Sequence, residues 1–171
     1  MESVKTGIKL RGEFIAECYR AGKLIWTSKG HNIVTTEGRN RILNVMFAAT
    51  TQTAAWYCGL VETDTAENAD MNYDVPVFTE SISYDEATRP TYTEAASTAG
   101  STTNSANKAV FTISATKTMY GAALFSIDTK GDHTAGANNV LYCYAKFAAS
   151  RAVVDDDVIN LTYTVTCIDD A

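Results

Sequence analysis

The chain has 171 residues, a formal net charge of −6 and 46% hydrophobic residues, a balance that suits a folded domain and argues against a nucleic-acid partner. A β domain of this length buries roughly 70% of the surface its unfolded chain exposes, so neither disulfide nor metal is needed to hold it together. Threonine, which favours strands and suits their wet side, occupies 24 positions, or 14% of the chain.

In chain order, residues 7–20 (GIKLRGEFIAECYR) alternate, with Ile8, Leu10, Phe14, Ala16 and Cys18 on one face and Lys9, Arg11, Glu13, Glu17 and Tyr19 on the other. Ile15 is the exception on the outer face. Residues 20–23 (RAGK) supply a turn, and LIWTSKGHNIV continues as the second strand of a β-hairpin. The period then changes. Thr35 or Thr36 caps a short helix over residues 37–48, whose apolar stripe of Ile42, Leu43, Met46 and Phe47 is expected to close an end or edge of the β core. Residues 55–61 (AWYCGLV) read as a buried strand.

Residues 62–105 form a long acidic excursion that holds both prolines, Pro76 and Pro90. Within it, 78–84 reads as a strand and 91–94 as a short edge strand, and loops of this length are often functional. The pattern firms again at 106–114, where Ala109, Phe111 and Ile113 share a face. Residues 119–127 and 141–149 are nearly all apolar and suit central strands covered on both sides, separated by a turn-rich loop at 129–139. Asp155–Asp157 reads as a solvated turn. The last strand, 158–168, sets Ile159, Leu161, Tyr163, Val165 and Cys167 against Asn160, Thr162, Thr164 and Thr166. The expectation is therefore all-β: an antiparallel β-sandwich or jelly-roll of seven to nine strands with one short helix, built as a single domain over 1–171.

Residues that could carry chemistry are few. The spacing of Cys18, Cys58, Cys143 and Cys167 fits no compact zinc pattern, and each lies where a buried thiol is expected. His31 and His133 lack a local nucleophile or orienting partner. The sequence has neither a phosphate-binding glycine loop nor a dinucleotide fingerprint. No cofactor and no enzymatic activity are expected. The N-terminal MESVKTGIKLRGE has no signal-peptide core, and no apolar run is long enough to cross a membrane, which points to synthesis in a reducing cytoplasm.

Charge is unevenly spread. Residues 1–45 carry eight Lys/Arg against four Asp/Glu, while 62–94 carry nine Asp/Glu and only Arg89. Lys9, Arg11, Lys23 and Lys29 of the basic hairpin are candidate contacts for a partner. So are Tyr73, Tyr84 and Tyr92 of the acidic segment, because tyrosine joins an apolar body to a polar tip.

The layout resembles the small head-decoration (cement) proteins of tailed bacteriophages. The segments that carry the resemblance are GKLIWTSKGHNIVTTEGRNRILNVMF, WYCGL, NSANKAVFTI, MYGAALFSI and AKFAASRAVVDDDVINLTYTVT, which lie within 7–48, 56–60 and 104–166. The middle acidic segment matches loosely, and Asp155–Asp157 is more acidic than the glycine-containing turn usual there. The resemblance implies a non-catalytic β-sandwich on the outer capsid surface of the virion. It would bridge neighbouring copies of the major capsid protein after head expansion and work as a homo-dimer or homo-trimer without nucleic acid or membrane. Two rival readings are a tail- or fibre-associated protein that stacks host glycans on Trp26, Tyr73 or Tyr92, and a hydrolase in which His31 or His133 meets carboxylates in a cleft.

Overall fold

In the computed structural model, which describes residues 7–169, the chain forms two antiparallel sheets and one helix. The first sheet runs β2 (Lys23–His31), β1 (Ile8–Arg20), β11 (Val158–Asp169), β7 (Ser101–Thr103), with β8 (Ala109–Thr112) also paired to β11. The second runs β3 (Ile33–Val34), β10 (Leu141–Val153), β9 (Lys117–Phe125), β4 (Trp56–Val61), β5 (Glu80–Ser81), with β6 (Thr91–Tyr92) also on β4. This is the expected antiparallel β-sandwich with one short helix. The long strands fall where alternation (β1, β2, β11) and continuous apolar runs (β9, β10) placed them; the extra ones have only two or three residues, too few to display a period.

The alternation of β1, β8 and β11 comes from facing the core on one side. Phe14, Ala16 and Cys18 meet Ala109, Phe111, Ile159, Leu161 and Tyr163 between the sheets, and Phe14 stacks on Tyr163 with ring centroids 4.1 Å apart. The continuous apolar runs of β9 and β10 have a different cause. Their second face is covered by the acidic excursion, which lays Met71, Tyr73 and Phe78 onto Ala123, Phe125, Leu141 and Tyr144 in a second core. Apolar runs buried on both faces are what such a third layer requires.

Both sides of the sandwich are stitched. Glu80 and Ser81 pair with β4, and a few residues later Asp85 N–H donates to Thr112 O (2.8 Å) and Ser114 N–H to Ser83 O (3.1 Å), so one segment joins the second sheet to β8 of the first. On the far side the Trp26 indole N–H donates to Ala152 O at 3.2 Å. There Gly30 lies so close to the Lys146 carbonyl that any side chain would collide with it.

Helix α1 (Thr36–Phe47) begins at Thr35, whose Oγ1 accepts from Gly38 N–H (2.9 Å) and donates to Leu141 O (2.5 Å). Its inward face is set by Gly38, pressed on the Tyr142 carbonyl, and continues one and two turns later through half-buried Ile42 and Val45. The expected stripe is therefore corrected. Leu43, Met46 and Phe47 point outward and are 54%, 68% and 81% exposed, because close contact at Gly38 rotates the helix away from them.

Two further expectations are corrected. Cys18, Cys58 and Cys143 are buried free thiols, but Cys167 is exposed, because β11 and β1 run on past the core. The Asp155–Asp157 turn is solvated only at its first two residues. Asp157 is fully buried, takes both Arg20 Nε and Nη2 (2.7 and 2.8 Å) and accepts from Val154 N–H at 2.9 Å.

Candidate functional site

The basic residues singled out in the hairpin all reach the surface, but they do not converge. Lys9 and Arg11 sit on the outer face of β1 at its open end, opposite Ile168 and Thr166 of β11. Lys29 lies opposite Ile15, with its Nζ 3.6 Å from Glu13 Oε1. Lys23 follows the hairpin turn, roughly 30 Å from Arg11 along the strand at about 3.3 Å per residue. Lys9 and Arg11 share the outer face at the open end of the ribbon, where Asp169 pairs with Ile8. Glu13 lies beside Lys29, and Lys23 sits at the far tip opposite Arg20.

The tyrosines are placed otherwise than a contact role requires. Tyr73, Tyr84 and Tyr92 are all buried. Tyr73 meets Phe125 edge-on at 6.1 Å, Tyr84 meets Phe111 at 5.1 Å and Tyr92 meets Tyr163 at 5.6 Å. They pin the acidic segment to the sandwich and leave their rings unavailable to a partner. Trp26 is half-buried with its N–H already engaged.

The densest cluster of charge lies inside. The Arg89 and Glu80 side chains are 0% and 1% exposed. They form a two-pronged pair, Nε to Oε1 at 2.6 Å and Nη2 to Oε2 at 2.7 Å. Arg89 also donates to the carbonyls of Ile127 (2.7 Å) and Asp132 (3.0 Å) and to the Tyr73 hydroxyl (3.4 Å), and its guanidinium lies 4.0 Å from the centre of the Phe125 ring. Burial alone would raise the Glu80 carboxyl, yet the hydrogen bonds from Arg89 and His133 and the Arg89 charge hold it below the usual carboxylate range. The cluster ties the excursion to the loop after β9. Nearby, Lys130 Nζ donates to the carbonyls of Tyr84 (2.7 Å) and Glu86 (2.8 Å).

Sequence reasoning missed this lock. Its one signal was the isolation of Arg89, the sole base among nine acids in 62–94. His133 does approach a carboxylate, with Nε2 3.3 Å from Glu80 Oε2. Arg89 already occupies both of those oxygens, and Gly131 N–H adds a third donor at 3.0 Å. His31 is exposed beside Glu13 at 3.7 Å. Among the described residues no group of three or more His, Cys, Asp or Glu is placed to hold a metal ion, and no helix is long and apolar enough to cross a membrane.

Beside α1 lies a groove of about 330 Å³ lined by Ile42, Val45, Met46, Trp56, Leu124 and Val165, with Arg41 and Glu94 among its polar residues. The outward Leu43, Met46 and Phe47 stand on the same helix. The fold is an antiparallel β-sandwich with one short helix. No protein-family model matches the chain, and no curated protein matches it.

Proposed function

We propose that the chain is a capsid-decoration protein, a non-enzymatic component of a phage head that binds the outer surface of the expanded shell and bridges major capsid subunits. The observation that carries this reading is the exposure of Lys9 and Arg11 on the outer face of a β1–β11 ribbon that extends past the core. That arrangement suits attachment to an acidic protein surface more than turnover of a substrate. Many copies of a modest contact make a shell hard to open, since each protein that grips two subunits binds with avidity. The tail- or fibre-associated reading draws less support, because of the rings it needs for glycan stacking Tyr73 and Tyr92 are buried and Trp26 is half-buried.

The test is binding to heads of the encoding phage that lack this protein. Occupancy after co-sedimentation, or in a cryo-EM reconstruction, is expected to be high for the parent chain. For Lys9→Glu/Arg11→Glu it is expected to fall about tenfold at a subsaturating dose, since two reversed surface contacts change the free energy by about 1–2 kcal/mol. Unchanged occupancy removes the ribbon tip from the interface, and failure of the parent chain to bind any head overturns the reading.

A further inference from the structure

We propose that the open edge of β1 at Ile8 and Leu10 is a strand-addition site, and that it takes an extended polypeptide segment in which acidic and apolar residues alternate. The proposal rests on the decoration reading for the source of that segment, a major capsid subunit, and names how the ribbon end holds it. It starts from backbone direction. Asn32 N–H donates to Gly12 O at 3.0 Å, so the Gly12 carbonyl points away from β11, toward the side where β2 lies. In a strand every second residue directs its N–H and C=O to the same edge. Leu10 and Ile8 therefore turn theirs to that side, while Lys9 and Arg11 turn theirs to β11. The pairing with β2 stops at Glu13 and His31, and among the described residues no strand pairs with this stretch of edge. The N–H and C=O groups of Ile8 and Leu10 are thus set for a further strand, the arrangement that strand addition exploits. The other edge of the ribbon is closed at this end, because Cys167 N–H donates to Gly100 O at 2.7 Å.

The two faces of this edge select the occupant. Lys9 and Arg11 are exposed on the outer face. Ile8 and Leu10 lie on the inner face, in phase with Phe14 and Ala16, but beyond the core, so Ile8 is 80% exposed and Leu10 half-buried. Leu10 stands opposite Cys167, and a shallow hollow lined by Gly7, Ile8, Cys167, Ile168 and Asp169 opens at the ribbon end. A strand laid along the edge sets successive side chains on alternate faces. Its outward residues fall beside Lys9 and Arg11, where an acid is attracted and a base repelled. Its inward residues fall beside Ile8 and Leu10, where apolar side chains remove exposed apolar surface from water. Asp169, opposite Ile8 on the inner face, disfavours an acid there. The two bases also turn away a second copy of this edge, which would set like charges against each other. Main-chain hydrogen bonds then supply the binding, and the alternating side chains supply the choice of sequence.

Leu10→Pro tests this, because it deletes an N–H on the open edge and leaves the bonds to β11 in place. On heads of the encoding phage that lack this protein, its occupancy at a subsaturating dose is expected to fall about tenfold below that of the parent chain, with the melting temperature kept. Leu10→Ala, which keeps the N–H, is expected to stay within about threefold. Should Leu10→Pro melt early, Ile8→Pro repeats the test at the other open position. A second arm adds a synthetic decapeptide of alternating Glu and Val to the full chain at neutral pH. Amide hydrogen exchange is expected to slow at Ile8 and Leu10, and a decapeptide of alternating Lys and Val is expected to change nothing. Undiminished head binding by both proline variants overturns strand addition and leaves the decoration reading standing. If the parent chain binds no head, the decoration reading fails and the peptides decide alone. Unchanged exchange at Ile8 and Leu10 then overturns strand addition as well, and equal protection by both peptides overturns the choice of an acidic segment.

Discussion

Arg89→Ala is expected to be among the most damaging single substitutions outside the apolar core. The reason is what it leaves behind rather than what it removes. Glu80 stays buried with Gly131 N–H at 3.0 Å and the His133 ring at 3.3 Å in place of a two-pronged cation, and the carbonyls of Ile127 and Asp132 lose the Arg89 donor. Breaking a buried ion pair from one side costs about 3–5 kcal/mol, a large share of the 5–15 kcal/mol that typically holds a domain together. At about 2–4 °C per kcal/mol for a chain of this size, the melting temperature should drop by about 6–20 °C. Replacing both partners, as in Glu80→Leu/Arg89→Met, leaves no uncompensated charge, and buried pairs replaced in this way are often neutral or better. The double variant is therefore expected to recover most of the loss. Urea unfolding followed by tryptophan fluorescence measures both variants against the parent. A loss below about 1 kcal/mol for Arg89→Ala, or a double variant as unstable as the single one, refutes the argument that an orphaned carboxylate is the dominant cost.

Acid should destabilise the parent chain through Glu80 and Asp157. Both are held below their usual carboxylate range, Glu80 by Arg89 and His133 against the penalty of burial and Asp157 by the Arg20 hydrogen bonds, so the stability they contribute is complete above about pH 5 and disappears as pH falls through their folded values. Glu37, pushed up by burial, works in the opposite direction, and urea midpoints between pH 3 and 7 should therefore fall on acidification by less in Glu80→Leu/Arg89→Met than in the parent. Ala21 adopts φ +46° and Gly22 φ +77°, the pair of positive angles that a two-residue hairpin turn of this kind requires; Ala21→Asn should stabilise by about 0.5–1 kcal/mol, visible as a higher melting temperature. Gly38→Ala, which in an open helix would stabilise by about 1 kcal/mol, should here destabilise because the new methyl group strikes the Tyr142 carbonyl; a raised melting temperature would contradict that contact.

Alternation made the core faces of β1, β8 and β11 legible, because a strand with one wet face writes its burial into every second residue. The apolar runs of β9 and β10 announced burial on both faces but not the cover. The cover is the acidic excursion, whose apolar anchors Met71, Tyr73 and Phe78 are spaced among charged and turn residues with no regular period. Helix α1 was legible in extent, and its cap in chemistry, yet its facing was not. Gly38 reads in sequence as a weak helix residue, and only the packed Tyr142 carbonyl makes it the contact point that turns Phe47 outward. The Arg89–Glu80 pair was hidden for a different reason. Two of its partners, Ile127 O and Asp132 O, are backbone atoms 38 and 43 residues away, and side-chain identity carries no record of a carbonyl's direction.

The stitched sides of the sandwich constrain where partners can dock. Strand addition needs an open edge, and the segment from Glu80 to Asp85 occupies one side while β2 packs on β10 at the other. The described pairing of β2 with β1 ends at Glu13 and His31, after which Asn32 leads the chain across to β3 in the second sheet. Beyond that point the β1–β11 ribbon runs on without β2, and it is there that Lys9 and Arg11 lie. Helix α1 lies against β10 of the second sheet, with Thr35 bonded to Leu141 and Tyr142. The apolar groove beside the helix spans both sheets: Trp56 and Leu124 of the second and Val165 of β11 in the first line it, and Val165 is next to Thr166, the residue opposite Arg11.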